Sequence, residues 1–342
     1  MKKRLFMVAM AAAVACSCAK ESVVEKVEEP VESTVYISLK NGSETRATGA
    51  GHGVQADDNN IKTLEIFIFR VNEGEDDNGM LDGYRKFTGN ELASLTNLEV
   101  KTTTGRKMIY AVANSHKENW AGLMTRSLFE QQVADLFNDD VKDFVMVGSK
   151  EETLQLASSV SFTIRRMVAR VQVNSVVTAF DGTPYQGSTL KDVKAYLTNV
   201  QGAKYLFDGS GKDLKVLNYK KYVSTDMQGC TMPGMLYDEL AASIDDSGHR
   251  DAHYFYCYSN GILEETDTDR FTRLVIEGEL NGTTYYYPIA IKGLERNCCY
   301  SIDVKIQRPG SLDPDKDVEI GAMDLTLEVL GWNTLPGSTV EF

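Results

Sequence analysis

The sequence predicts an all-β protein of two β-sandwiches in tandem with few short helices. Three observations carry that prediction. Short runs alternating apolar and polar residues recur along the whole chain, the mark of half-buried strands. Turn chemistry of Gly, Asn and Asp separates these runs at the spacing of sandwich folds. Helical periodicity is confined to two segments, Asn90 to Thr96 and Arg126 to Asn138. A chain of 342 residues, 42% apolar and 25% charged, suits two domains plus a leader, at roughly 150 residues per domain. Its net charge of −13 repels phosphate backbones and argues against nucleic acid as a partner.

The chain opens with Lys2, Lys3 and Arg4 before an apolar run from Leu5 to Ala15. That run is too short to span a bilayer and suits the core of a secretion signal. It stops at Cys16-Ser17-Cys18. Small residues followed by Cys are the pattern of a lipoprotein cleavage site, where the thiol takes the lipid. Cys18 is preferred because polar sequence starts directly after it; Cys16 is the alternative. Residues 1–17 then form the signal peptide. An ordinary cleaved secretory signal is the competing reading, and either places the mature chain outside the cytoplasm. Acyl chains such as palmitate anchor a protein without a spanning helix. Glu21, Glu25, Glu28, Glu29 and Glu32 make the following stretch an acidic tether.

The first strand is expected at Val35 to Leu39, with Val35, Ile37 and Leu39 on one face. Strands follow at Leu64–Phe69, Met108–Val112, Val160–Ile164, Val168–Val173 and Val193–Leu197. The last third adds His253–Tyr258, Phe271–Leu280, Thr284–Ile291 and Tyr300–Ile306. Asn281-Gly282 predicts a type I′ hairpin between two of them. In 126–138, Leu128, Phe129, Val133, Leu136 and Phe137 fit one helical stripe packed on a core. The domain boundary is expected after Val176, where Asp181-Gly182-Thr183-Pro184 and Gln186-Gly187-Ser188 carry turn chemistry. The domains are then 47–176 and 177–342.

Catalytic and metal motifs are missing: the sequence has no GxSxG, HExxH or phosphate-binding GxxxxGK[ST]. His249 and His253 stand four apart in a loop context and do not read as a ligand pair. Asp313, Asp315, Asp317 and Glu319 alternate, but Pro314 interrupts and the calcium-loop glycine is not in place. No cofactor and no metal are expected. Cys230, Cys257, Cys298 and Cys299 remain after the lipid site, in a compartment that permits disulfides. Adjacent Cys298 and Cys299 would point to opposite faces of a strand and are not expected to pair with each other.

The two ends carry the functional signal. The closing segment, about 318–342, alternates cleanly at Leu325, Leu327 and Val329; Trp332 breaks the register, and Val340 and Phe342 resume it. An apolar alternating terminus is a strand in need of a partner. Near the other end, Thr45-Arg46-Ala47 sits in a Gly-, Ala- and Thr-rich stretch, where an exposed Arg46–Ala47 bond invites trypsin-like cleavage. Cutting there removes the tether and the first strand together (residues 18–46). The emptied groove would expose apolar core and unpaired backbone, which a neighbour's strand could cover by β-augmentation.

This arrangement resembles the Bacteroidales fimbrillin family, the type V pilins, and within it the minor-fimbrium (Mfa-type) subunits. The likeness rests on the order of its pieces: Cys18, Thr45-Arg46-Ala47, the Leu64–Phe69 strand, Ile109–Asn114, Arg166–Val171, Arg296–Val304, the Gly310–Pro314 loop and Trp332. Cys298-Cys299 has no place in that pattern. The resemblance implies two transthyretin-like (immunoglobulin-like) sandwiches and export as an outer-membrane lipoprotein. It also implies cleavage after Arg46, and then filling of the groove by the C-terminal strand of the next subunit. Leu325, Leu327, Val329, Trp332, Val340 and Phe342 would be the donor, and Val35, Ile37 and Leu39 the displaced strand. The partners implied are other copies head to tail, anchor and accessory or tip subunits, and host or bacterial surface ligands. The membrane would be met only through the precursor's lipid. A monomeric lipoprotein binding glycan or protein is the alternative; a secreted enzyme lacks motifs.

Overall fold

In the computed structural model the described residues are 30–41, 60–207, 214–230, 233–318 and 322–331. Cys16, Cys18, Arg46, Ala47, Trp332, Val340 and Phe342 lie outside them. The chain from Val31 onward is one compact unit.

The first half contains β1 (Glu32–Asn41), β2 (Thr63–Arg70), β3 (Leu81–Thr88), β4 (Leu98–Thr103), β5 (Gly105–Ala113), β6 (Val133–Asp135), β7 (Met146–Leu154) and β8 (Ser159–Arg166). Seven of these form one sheet in the order β3-β2-β5-β7-β8-β1-β4. The sheet folds over where β7 meets β8, because only Met146 and Val147 pair with Arg166 and Arg165. Gly148 sits at this fold, where a Cβ would stand 2.3 Å from the Thr163 carbonyl oxygen. The layer β8-β1-β4 therefore faces β3-β2-β5-β7 across a shared core. Period two sorts the side chains of β2: Leu64, Ile66 and Ile68 enter that core, whereas Phe67 and Phe69 join a second cluster around Phe129. Burial on both faces explains the near-continuous apolar run of this strand.

The second half contains β9 (Val168–Thr178), β10 (Leu190–Thr198), β11 (Val200–Gln201), β12 (Ala203–Tyr205), β13 (Val216–Leu217), β14 (Tyr237–Ile244), β15 (His253–Tyr258), β16 (Thr272–Leu280), β17 (Thr283–Ile291), β18 (Cys298–Ile306) and β19 (Met323–Gly331). Sheets β14-β10-β16-β17 and β15-β9-β18-β19 enclose the second core. Asn281 (φ 53°) and Gly282 (φ 84°) make the expected I′ turn between β16 and β17.

Two expectations are corrected. The boundary after Val176 falls inside β9, which pairs with β15 and β18 of the second half. Only Met167 separates β8 from β9. The turn residues at 181–188 serve the β9–β10 loop instead. Of the helix expected over 126–138, only α1 (Arg126–Glu130) and a 3-10 turn at Leu136–Asn138 are helical. Tertiary pairing overrides helical periodicity here, because β6 takes Val133–Asp135 into a ladder with Ala203–Tyr205.

Candidate functional site

β1 is an interior strand supplied by a segment that precedes every other described strand in the sequence. Its two neighbours hold different halves of it. β4 pairs antiparallel from Glu32↔Thr103 to Ile37↔Leu98. β8 pairs parallel from Tyr36↔Ser159 to Asn41↔Ile164. The halves overlap only at Tyr36 and Ile37. Val35 and Ile37 are fully buried, and Leu39 is 5% exposed. Burying an aliphatic side chain contributes about 1.5–3 kcal/mol, so these three dominate the hold on β1. Polar contacts add to it: Ser33 Oγ donates to the Gln155 carbonyl (2.9 Å), and Tyr36 N–H donates to the Ser158 carbonyl (2.9 Å).

The walls of this groove are fixed by groups the sequence reading missed. β3 and β4, the two ends of the sheet order, are fastened through Asp82. Its carboxylate accepts from Thr102 Oγ1 (2.6 Å), Thr103 N–H (2.8 Å) and Arg70 Nε (2.8 Å), and it pairs with Lys107 Nζ (3.1 Å). The side chains of Asp82 and Lys107 are each 2% exposed. Burial opposes ionisation of Asp82, but these hydrogen bonds and the Lys107 charge outweigh it and hold the carboxyl well below the usual range. Gly83 completes the closure, since a Cβ there would lie 2.6 Å from the Lys101 carbonyl oxygen. A lone Asp-Gly pair in a sequence gives no sign of such a network.

At the other end, β19 lies on the edge of its own sheet, antiparallel to β18 from Cys298↔Gly331 to Ile306↔Met323. Leu325, Leu327 and Val329 stand opposite Val304, Ile302 and Tyr300, on the core face. Leu327 and Val329 are half-buried, while Leu325 is 40% exposed. The carboxylate of Asp324 accepts from Gln307 Nε2 (3.0 Å).

Among the described residues no three His, Cys, Asp or Glu side chains gather as a metal site. His249 and His253 touch, Nε2 to Nε2 at 2.8 Å, and His253 Nδ1 contacts Asp238 (2.6 Å). Asp315 is held by Arg270 (2.8 Å) and Asn199 (3.1 Å). Cys257 and Cys298 are free thiols, and Cys299 Sγ accepts from Arg170 Nε (3.3 Å). Among the described residues no helix is long and apolar enough to cross a membrane.

Residues 33–201, which begin inside β1 and run through β11, match the family described as Major fimbrial subunit protein (FimA). Through these residues the chain is similar to the FimA fimbrial-subunit family. Solved structures extend the likeness over both halves. The fimbrilin (fimA) of Porphyromonas gingivalis is 16% identical with a TM-score of 0.63, covering 89% of this chain and 99% of that one. The tip fimbrial protein Mfa3 from the same organism, with a C-terminal truncation, is 14% identical at a TM-score of 0.54, covering 88% and 100%. A fimbrial assembly protein from Parabacteroides distasonis is 13% identical at 0.50, covering 87% and 95%. At such identities these structures share the fold with this chain. None of the curated proteins compared matches the sequence. This family match supports a structural role in a cell-surface fimbrium rather than a catalytic one.

Proposed function

We propose that this chain is a structural subunit of a surface fimbria that supports adhesion. On this reading it is exported as a lipoprotein through Cys18, cleaved after Arg46, and polymerised head to tail by C-terminal donor-strand exchange. The single observation that carries the reading is the seat of β1. A strand that precedes Arg46 in the chain occupies the middle of the β8-β1-β4 layer. Cleavage between β1 and β2 makes that strand exchangeable without touching the rest of the sheet. An open groove with buried walls is costly to leave wet, and an identical tail on the next subunit offers the matching alternation. A head-to-tail interface of this kind propagates as an open filament. Anchor, accessory and tip subunits are its expected partners within the fimbria.

The test is limited trypsin digestion of the purified, unlipidated full chain, followed by N-terminal sequencing and a native sizing gel. The expected product starts at Ala47 and forms an oligomer ladder. An uncut N-terminus, or a cut product that stays monomeric, supports the monomeric surface lipoprotein instead, since both β1 and β19 are seated in their own sheets.

A further inference from the structure

Three side chains that the fimbrial reading does not use link the two sheets of the second sandwich at their edges. Among the described residues β14 and β15 are edge strands, one in each sheet, and they follow one another in the chain. Asp238 lies on β14, His253 opens β15, and His249 lies in the loop between them. That loop is seated on β9. His249 N–H donates to the Val176 carbonyl (2.8 Å), and Val176 N–H donates to the His249 carbonyl (2.9 Å). This bridge stands three residues along β9 from Val173, the partner of His253. Gly248 (φ 74°) lets the loop approach so closely, since a Cβ there would lie 2.2 Å from Val177 Cγ1.

The contacts dictate where the protons sit. Asp238 and His253 Nδ1 are 2.6 Å apart. A carboxylate only accepts, so His253 Nδ1 carries the hydrogen. Neutral His253 then has a bare Nε2, which accepts from His249 Nε2–H at 2.8 Å. The ring centroids are 5.0 Å apart. The rings therefore meet nearly end to end, and the gap between their nitrogens suits a proton. One added proton can be shared on the same line, with Asp238 balancing its charge. A second cannot, because both Nε2 atoms would carry hydrogen and two imidazolium ions would face each other.

We propose that Asp238, His253 and His249 form an acid-opened latch, which holds the β14–β15 loop on β9 while the two imidazoles share a hydrogen bond and releases it when both are charged. Burial and the charge of His253 hold His249 below the usual histidine range, and Asp251 and Asp238 oppose this only in part. The remaining charges nearby, Asp245, Asp246 and Arg250 of the loop and Glu239 of β14, are exposed. β9 presents Asn174 and Ser175, which donate to Asp303 of β18. Because the folded value of His249 is depressed, the latch is complete above the unfolded value of about 6.5. It is lost as pH falls from there toward the lower folded value, since the released loop binds protons more readily. Opening breaks both hydrogen bonds of the Val176–His249 bridge and leaves that stretch of β9 as an unpaired strand edge.

The test is nuclear magnetic resonance of the purified, unlipidated full chain between about pH 8 and pH 5, a range that brackets the free imidazole value. The chain has 4 His, so single substitutions assign the imidazole signals. The expected spectrum at the upper pH shows hydrogen on His253 Nδ1 and on His249 Nε2. Amide exchange, corrected for its intrinsic pH dependence, reads the loop. Protection of Val176 and His249 is expected to fall together as pH drops, while that of Phe255 within β15 stays. His249→Gln offers His253 an amide donor that does not titrate, and is expected to keep both amides protected at either pH. Asp238→Asn removes the balancing charge and is expected to move the opening to higher pH. Equal protection of Val176 at both ends of the range in the unsubstituted chain overturns the latch. So does an opening that persists unchanged in folded His249→Gln, or a bare His253 Nδ1.

Discussion

At the residue scale, the stability of the first sandwich turns on a few buried charges. Asp82 joins β3 to β4, and its depressed titration makes it an acid-sensitive clasp. Its contribution is complete above the unfolded carboxyl value of about 3.9. It is lost as pH falls from there through the lower folded value, because protonation then costs the native contacts. Asp82→Asn is predicted to destabilise the chain by about 3–5 kcal/mol at neutral pH, since it strands Lys107 buried and uncompensated. Urea unfolding at pH 7 measures that loss, and the variant's stability should fall less steeply than the parent's below pH 4. An unchanged midpoint would show the pair to be dispensable. Glu65 illustrates the same principle with its cation farther off, Lys86 Nζ at 3.5 Å. It is fully buried, yet Ser115 Oγ (2.7 Å), Trp120 Nε1 (2.8 Å) and Tyr84 OH (3.2 Å) donate to it. In the sequence Glu65 reads only as the polar interruption of an apolar strand.

At the element scale, strands with strong alternation were legible and strands with polar faces were not. β15 spans the expected His253–Tyr258, and β1, β2, β5, β8, β10, β16, β17 and β18 lie within a few residues of expectation. β3, β7 and β14 were missed because their composition hides them, and the short β4 was missed although it alternates. β3 buries only Gly83 and Phe87 fully, β7 carries Lys150, Glu151 and Glu152, and β14 has the helix-favouring run Glu239-Leu240-Ala241-Ala242. Their strand character comes from ladders with β2, β5 and β10, not from local preference. The fold at β7–β8 is a further case, since Gly148 reads as an ordinary glycine until the Thr163 carbonyl is set against it. Gly148→Ala is predicted to cost about 1–3 kcal/mol through overpacking and to lower oligomer yield by displacing the β8 wall of the groove. Thermal unfolding and native gels check the two effects. A variant with parental stability would place that carbonyl elsewhere.

At the scale of the whole molecule, the first and last described strands belong to different sheets. β1 completes the first sandwich and β19 the edge of the second, so each sheet set is filled before assembly. Deleting Ser338–Phe342 is therefore predicted to leave a folded monomer with parental unfolding behaviour and to abolish the ladder after cleavage. Size exclusion with circular dichroism tests this, and an unfolded truncated monomer would make the tail part of its own core. Hydrogen exchange adds a check at this scale: on assembly the β4 amides should regain protection.

The sequence by itself determined the all-β class and most of the apolar strands. These properties are local, because period two, turn chemistry and charge runs are written within a few residues. Three things were decided only by tertiary structure. β1 lies inside a sheet rather than at its edge, β9 crosses the expected boundary, and Asp82 with Gly83 and Gly148 shapes the walls around β1. Each depends on which strand lies beside which. Strand order is set by burial and hydrogen bonding between residues far apart in the chain, so no short stretch of sequence contains it.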